Sequence, residues 1–368
     1  MLNSKEKKQY SKQIQLSEIG IDGQQRLKNS KVLVVGAGGL GCPVLIQLTS
    51  SGVGEIGLID DDLIELDNLP RQILYDFSSL GMPKVTKAVQ KLSNLNPNVN
   101  FISFSKKLTS QNAIEVIQAF DLVVDCSDNF QTRYLINDTC LVLNKPFIYG
   151  AVHKHEGQVA TFNVESSGTY RCLFPSSNYS ELNCNDVGVT PALTNIIGSF
   201  QANEALKLLC GYGKLLTNSV LIIDSLSLHH SLIHYTPKRN YSNINHNYIR
   251  NASNYQNDCK NEIRVQEIDT VKLAALKKEA IQLIDVREHH EIPIVNDLLH
   301  CKIPMSELSE KVDLIEKNKM VVLFCSSGKR SKKAIHQLIS LNFNYNNLYS
   351  LKGGIDAYLQ KIKTNSVP

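Results

Sequence analysis

Short β-branched runs separated by amphipathic stretches set the rhythm of the first two thirds of this chain. Val32 to Val35 is an apolar run that ends in glycines, as a buried parallel strand does when it turns into a helix. Glu55 to Ile59, Phe101 to Phe104 and Leu122 to Asp125 repeat the strand pattern, while residues 85 to 97 and Gln111 to Ala119 carry apolar positions at helical spacing. Residues 5 to 29 read as polar helix leading into the first strand. Strands alternating with helices predict a parallel, doubly wound α/β sheet whose ligands bind outside the carboxyl ends of its strands. The helix from Pro191 to Cys210 is apolar on most faces and reads as core or as a dimer interface. Between Pro237 and Asn261 the periodicity gives way to Asn, Tyr, Ser and Lys; so few apolar residues cannot repay the entropy of ordering, which predicts a linker. Beyond it, Ala280 to Asp285 and Met320 to Phe324 are expected strands and Ser331 to Ser340 a helix. The expected organisation is a large domain over 1–236, a linker over 237–261 and a small α/β domain over 262–368.

The chemistry gathers at the ends of the expected strands. Gly36, Gly38 and Gly41 fit G-x-G-x-x-G after the first strand. The first glycine permits the tight turn, the second lets a phosphate approach the backbone, and the third lets the helix pack on the strand. Phosphate would lie at that helix's N-terminus, on free N–H groups and the positive end of its dipole. The second strand delivers Asp60, Asp61 and Asp62 close to where a Rossmann-like fold holds a ribose by a carboxylate. A nicotinamide or flavin oxidoreductase would use the same glycines. Asn68, Arg71, Gln72 and Lys84 add polar and cationic groups that a triphosphate needs and a dinucleotide does not. The fourth strand ends in DCSDN, placing Asp128 and Asn129 at the same edge, where an acid can hold Mg²⁺ against the phosphates. Together they favour ATP used for nucleotidyl transfer. A non-catalytic scaffold would leave this phosphate and magnesium set without a purpose.

GAGGLG, DxDxxxxxNLxRQ, GxxK and DCxDN occur in this order, and from about Tyr10 to about Tyr235 the sequence resembles the MoeB/ThiF/HesA branch of the ubiquitin-activating-enzyme superfamily. The resemblance implies adenylation of the C-terminal glycine of a small ubiquitin-like sulfur carrier, with Gly39, Asp60, Asn68, Arg71, Lys84, Asp128 and Asn129 around ATP and Asp128 nearest the magnesium. It implies antiparallel strands from about Gly157 to Val164 and Ser219 to Ile223 on the face that docks the carrier. It implies a homodimer in which Lys12, where the family usually has an arginine, reaches the phosphates bound to the partner subunit. Cys184, in ELNCNDVGVTP, occupies the place of the family's acceptor cysteine, on a polar loop suited to a transient acyl or persulfide link. Molybdopterin biosynthesis, thiamine biosynthesis and tRNA thiolation are all compatible with a carrier ending in Gly-Gly.

Many members of that family hold a structural zinc on two CxxC pairs. Here TYRC offers Cys172 with Thr169 in place of its partner, and no C-x-x-C occurs in the chain. Four soft ligands at fixed spacing are what a closed site requires, so no zinc is expected.

In the C-terminal region Cys325 is followed by SSGKRS, a short loop running into a helix N-terminus. Successive backbone N–H groups and Arg330 would cradle an anionic sulfur there. The segment from about 262 to 363, which carries DVRE before the Cys325 loop and KGGIDAY after it, is similar to a single rhodanese domain, although the usual HIPGA stretch is missing. The similarity puts Cys325 in the place of the persulfide-carrying cysteine, loaded by thiosulfate or a cysteine desulfurase.

Composition adds boundaries. The chain of 368 residues is 42% hydrophobic and 20% charged with a net charge of +4, which suits a two-domain globular protein and gives no dense basic block for nucleic acid. No run of about eighteen apolar residues is present, so no membrane span is expected and a cytoplasmic protein is. Nine scattered cysteines do not read as a disulfide framework; Cys42, Cys126, Cys140 and Cys210 sit in apolar contexts as small buried hydrophobes.

Overall fold

The computed structural model describes residues 1–175, 188–238, 241–255, 265–276, 280–294, 300–341 and 343–365. It divides into two compact units, Met1–Asp258 and Cys259–Pro368.

The first unit is built on one eight-stranded sheet, of strands β1 (Lys31–Val35), β2 (Glu55–Ile59), β3 (Asn100–Phe104), β4 (Leu122–Asp125), β5 (Phe147–His153), β6 (Glu156–Phe162), β7 (Ser219–Asp224) and β8 (His230–His234). Their order is β3-β2-β1-β4-β5-β6-β7-β8. The first five run parallel, and β6, β7 and β8 add antiparallel hairpins at one side. Buried on both faces, β1, β2 and β4 read as continuous apolar runs, which is why they were legible. One core lies on the face that includes Val32, Val34, Leu45 and Ile197 and the other on the face that includes Leu33, Val123, Tyr149 and Phe162. β8 is mostly exposed and lacks apolar alternation, so pattern alone did not announce it.

The helix Pro191–Cys210 buries Leu193, Ile197, Ala202 and Ala205 and leaves Ile196 and Phe200 partly exposed. Gly198 lets it approach the helix Gly41–Ser51, since a Cβ there would lie 2.6 Å from the Leu40 carbonyl oxygen and 2.5 Å from Pro43. It is therefore core along one face. The polar stretch expected as helix over 5–29 is three helices, Ser4–Gln9, Ser11–Ile14 and Gly20–Asn29. The first break falls at Tyr10, which turns into the core and accepts a hydrogen bond from Asn96 Nδ2 at 2.8 Å.

The segment expected as a linker needs correction. Residues His246–Arg250 form a helix capped by Asn245, and Ile249 is fully buried in the core that holds Leu33. Tyr255 donates a 3.1 Å hydrogen bond to the fully buried carboxylate of Asp138, which Arg171 also grips at 2.7 Å through both Nε and Nη2. Few apolar residues lie here, yet two well-placed ones and a shared buried charge suffice to dock the segment. Residues 239–240 and 256–261 of the expected linker lie outside the described residues.

Among the described residues the second unit has five parallel strands, β9 (Gln266–Ile268), β10 (Ile281–Asp285), β11 (Cys301–Lys302), β12 (Met320–Phe324) and β13 (Leu348–Leu351), ordered β11-β10-β12-β13-β9. Two apolar clusters cover it, one around Ile284, Leu323 and Ile335 and the other around Leu283, Phe324 and Ile355. No helix among the described residues is long and apolar enough to cross a membrane.

Candidate functional site

The parallel register brings three loops to one sheet edge. Val35 pairs with both Ile59 and Asp125, so the turn after β1 lies between the residues that follow β2 and β4. Gly36 has φ +96°, and a Cβ there would stand 2.7 Å from the Cys126 carbonyl oxygen. At Gly41 a Cβ would lie 2.0 Å from the Gly36 carbonyl oxygen. These two glycines are thus fixed by the turn itself. Gly38 is different: its Cβ would meet nothing nearer than Gln72 Nε2 at 3.7 Å, so space in front of the backbone stays open for a ligand atom. Gly39 lies against Thr194 of the long helix.

Asp60 closes this turn from β2. Its carboxylate accepts from the Ala37 N–H at 2.7 Å and the Asp62 N–H at 2.8 Å, while Tyr75 donates to the Ala37 carbonyl at 2.9 Å. Burial raises the Asp60 carboxyl above its ordinary value, opposed chiefly by the Lys84 charge. Lys84 is itself buried and bonds Asp62 at 2.8 Å, a pairing that sequence reasoning did not foresee. Among the described residues, the carboxylates of Asp60, Asp61 and Asp62 form the one group of three whose oxygens approach within 4.8 Å.

On the loop beyond, Asn68 and Gln72 are buried, and Gln72 Oε1 is enclosed without a hydrogen-bond partner. Arg71 donates to the Asp67 carbonyl at 2.7 Å. At the end of β4 Asn129 caps the helix Phe130–Val142 by accepting from Thr132, and its amide donates to Asp128 at 3.2 Å. Asp128 is exposed. Sequence reasoning did not single out Asp125, which is fully buried, holds the Ser127 hydroxyl at 2.6 Å and thereby sets the DCSDN turn. Desolvation raises its carboxyl. A polar residue closing an otherwise apolar strand was the available signal. Lys12 is exposed on its short helix, and Cys184 lies outside the described residues.

At Cys172, where the resembling family would place a zinc ligand, the sulfur accepts from the Thr169 N–H at 3.4 Å and the Lys238 N–H at 3.2 Å, and lies 3.5 Å from the Tyr241 hydroxyl. Burial raises this thiol, but the bonds to Thr169, Tyr241 and Lys238 outweigh it and bring the group below its ordinary value. Two residue pairs, each spaced three apart, thus converge on one point with a single thiol among them. One sulfur does not make the four-ligand set of a structural zinc.

In the second unit Cys325 follows β12 and is buried. Its sulfur accepts from the Gly328 N–H at 3.1 Å and lies 3.9 Å from the Ser331 hydroxyl. The Ile355 and Asp356 N–H groups bond the Cys325 and Ser326 carbonyls at 2.8 and 3.1 Å, so the KGGIDAY motif clamps the loop from the last helix. Gly354 permits that approach, since a Cβ there would lie 2.3 Å from both carbonyl oxygens. Arg330 does not turn to the sulfur: both its terminal nitrogens engage Glu291, one at 2.6 Å.

Residues 10–244 match the model of the ThiF family, and residues 269–361 match the rhodanese-like domain. The chain belongs to the ThiF family. This ThiF-family chain is 35% identical over 365 residues to a probable molybdopterin-synthase adenylyltransferase of Porphyra purpurea, covering 95% of this chain and 92% of that protein. It is 34% identical to an adenylyltransferase and sulfurtransferase MOCS3 of Aedes aegypti, over 92% of this chain and 83% of that one. A sulfur carrier protein adenylyltransferase of Thermus thermophilus matches 59% of this chain at 45% identity and 83% of its own length. The fold is also that of E. coli MccB, with TM-score 0.59 and 24% identity over 65% of this chain and 74% of MccB. The ThiF unit is therefore an adenylyltransferase that uses ATP, and the rhodanese-like unit a sulfurtransferase. The oxidoreductase reading falls away.

Proposed function

We propose that this ThiF-family enzyme activates the C-terminal glycine of a ubiquitin-like sulfur carrier as an acyl adenylate, and that a persulfide on Cys325 supplies the sulfur that displaces AMP. The observation that carries the first step is the open approach at Gly38, flanked by Asp60, Gln72 and the Asp128–Asn129 corner. A carboxylate is a poor acylating agent; attack of its oxygen on the α-phosphorus of ATP expels pyrophosphate and leaves AMP as the good leaving group. The turn after β1 offers backbone N–H groups to the phosphates, and Lys84 and Arg71 supply positive charge. Asp60 fixes the turn through Ala37. Asp128 would hold Mg²⁺, which neutralises charge on the triphosphate when bound.

The carrier ends in Gly-Gly, and Cys184 takes the acyl group or sulfur transiently. The enzyme works as a homodimer, Lys12 serving the partner's nucleotide. It operates in the cytoplasm, where free thiols persist, and without zinc. The names of its relatives favour molybdenum cofactor biosynthesis, with thiamine biosynthesis as the other outlet for the same chemistry. Carrier-dependent exchange of labelled pyrophosphate into ATP tests the first step: Asp128→Ala should abolish it while leaving the melting temperature close to the parent's. Undiminished exchange in that variant would overturn the assignment. Cys325→Ala should leave exchange intact and abolish persulfide loading.

A further inference from the structure

Ser127 stands immediately before the exposed Asp128, and its three hydrogen-bonding groups are taken by two buried ionisable residues, Asp125 and Arg133. The Ser127 N–H and hydroxyl both donate to Asp125 Oδ1, at 3.0 and 2.6 Å. Its carbonyl accepts from Arg133 Nη2 at 3.1 Å. Asp125 closes β4 and is held from the helix Pro191–Cys210, where the fully buried Gln201 donates to its carbonyl at 2.7 Å. Arg133, one turn into the helix Phe130–Val142, places its guanidinium 5.5 Å from the ring centres of both Phe130 and Tyr149. On the far side of Asp128, Asn129 donates to the carboxylate at 3.2 Å and accepts from the Thr132 N–H at 2.9 Å. The same turn backs onto the glycine turn, since a Cβ on Gly36 would stand 2.7 Å from the Cys126 carbonyl oxygen.

An ordinary surface turn needs none of this. Water or a neutral side chain satisfies its polar groups, whereas burying a carboxyl and a guanidinium carries a desolvation cost. Burial raises the Asp125 carboxyl and the Arg133 charge opposes that rise, so each makes the other tolerable in the interior. We propose that Asp125 and Arg133 form a buried clamp on Ser127 that positions Asp128: by fixing the peptides on both sides of Ser127, they aim the Asp128 carboxylate at the cation that accompanies the triphosphate. This rests on the assignment of Asp128 to Mg²⁺. Asp125 and Arg133 act through Ser127 and are positioning residues. Mg²⁺ takes its ligands at about 2.0–2.1 Å in a near-octahedral shell, so a carboxylate whose backbone can rotate serves it poorly. The backbone N–H groups of the glycine turn, which meet the phosphates, do not depend on Ser127. The clamp therefore governs the use of the metal, and the hold on ATP alone stays with the glycine turn.

The test uses the full chain and calorimetric titration with ATP, in EDTA and across a series of Mg²⁺ concentrations. In the parent, Mg²⁺ should tighten ATP binding, and Asp128→Ala should lose that tightening. Asp125→Ala and Arg133→Met should keep the Kd in EDTA within about twofold of the parent's yet raise the Mg²⁺ concentration for half of the tightening about tenfold or more, the scale of losing a side chain that orients a metal ligand. Asp125→Asn keeps an oxygen for both Ser127 donors and should return that concentration most of the way to the parent's. Ser127→Ala removes only the hydroxyl bond and should raise it about fivefold, the scale of one lost hydrogen bond; it carries the test if the buried variants prove misfolded by circular dichroism. A turn with a merely structural role would instead weaken binding in EDTA and in Mg²⁺ alike. The clamp is overturned, with Asp128 keeping its role, if folded variants need no more Mg²⁺ than the parent, if binding in EDTA weakens in parallel, or if Asp125→Asn is no better than Asp125→Ala. If Mg²⁺ does not tighten binding in the parent, or tightens it equally in Asp128→Ala, the assignment of Asp128 itself fails, and this inference with it.

Discussion

At the scale of single residues, the glycines of the first turn divide by what holds them. Gly41 answers to the chain: a methyl there would stand 2.0 Å from a backbone oxygen that cannot move without opening the turn. Gly38 answers to a ligand, because its missing Cβ would meet nothing of the protein nearer than Gln72 Nε2 at 3.7 Å. Gly38→Ala should therefore melt within about 1 kcal/mol of the parent and yet bind ATP at least about tenfold more weakly by calorimetry, whereas Gly41→Ala should lose both stability and binding. The Cys172 corner makes its own forecast. With one thiol satisfied by Thr169, Lys238 and Tyr241, elemental analysis of the purified chain should give far less than one zinc per chain.

Elements follow the same physics through packing and charge. The helix Pro191–Cys210 touches the glycine turn's own helix at Gly198, so Gly198→Val should push the two apart, cost about 1–3 kcal/mol and weaken ATP binding without touching a binding residue. In the rhodanese-like unit the Glu291–Arg330 pair ties β10's following loop to the helix Lys329–Ser340. Glu291 lies at about 2 when folded against a reference of 4.5, so its stabilisation is present above about pH 4.5 and is lost as pH falls toward 2. Between those limits the melting temperature of this unit should fall further in the parent than in Glu291→Gln, as followed by scanning calorimetry across pH.

For the whole molecule the docked segment decides where the first unit ends. A chain stopped after Tyr235 loses Ile249 from the core and Tyr255 from Asp138, so it should be markedly less stable than one stopped at Asp258. Ile249→Ala in the full chain should cost about 2–5 kcal/mol, measured in urea, and should expose the unit to protease at its own rim.

The sequence by itself determined the strands buried on both faces, because a strand covered by helices needs apolar residues in succession: Val32 to Val35 and Leu122 to Val124 could be read directly. It also determined the chemistry that spacing carries, the glycine turn, the DCSDN corner and the Cys325 loop, because those backbones admit few residue types. Only the tertiary structure decided what depends on partners distant in sequence. Lys84 turns to Asp62, Arg330 turns to Glu291 across 39 positions, and Tyr255 reaches Asp138 across 117. Periodicity carries no trace of such pairs, since each is a single polar contact whose energy exists only once folding has excluded water from around it. For the same reason a segment too polar to form a core of its own, residues 246–255, becomes structure when a core built elsewhere offers room for Ile249.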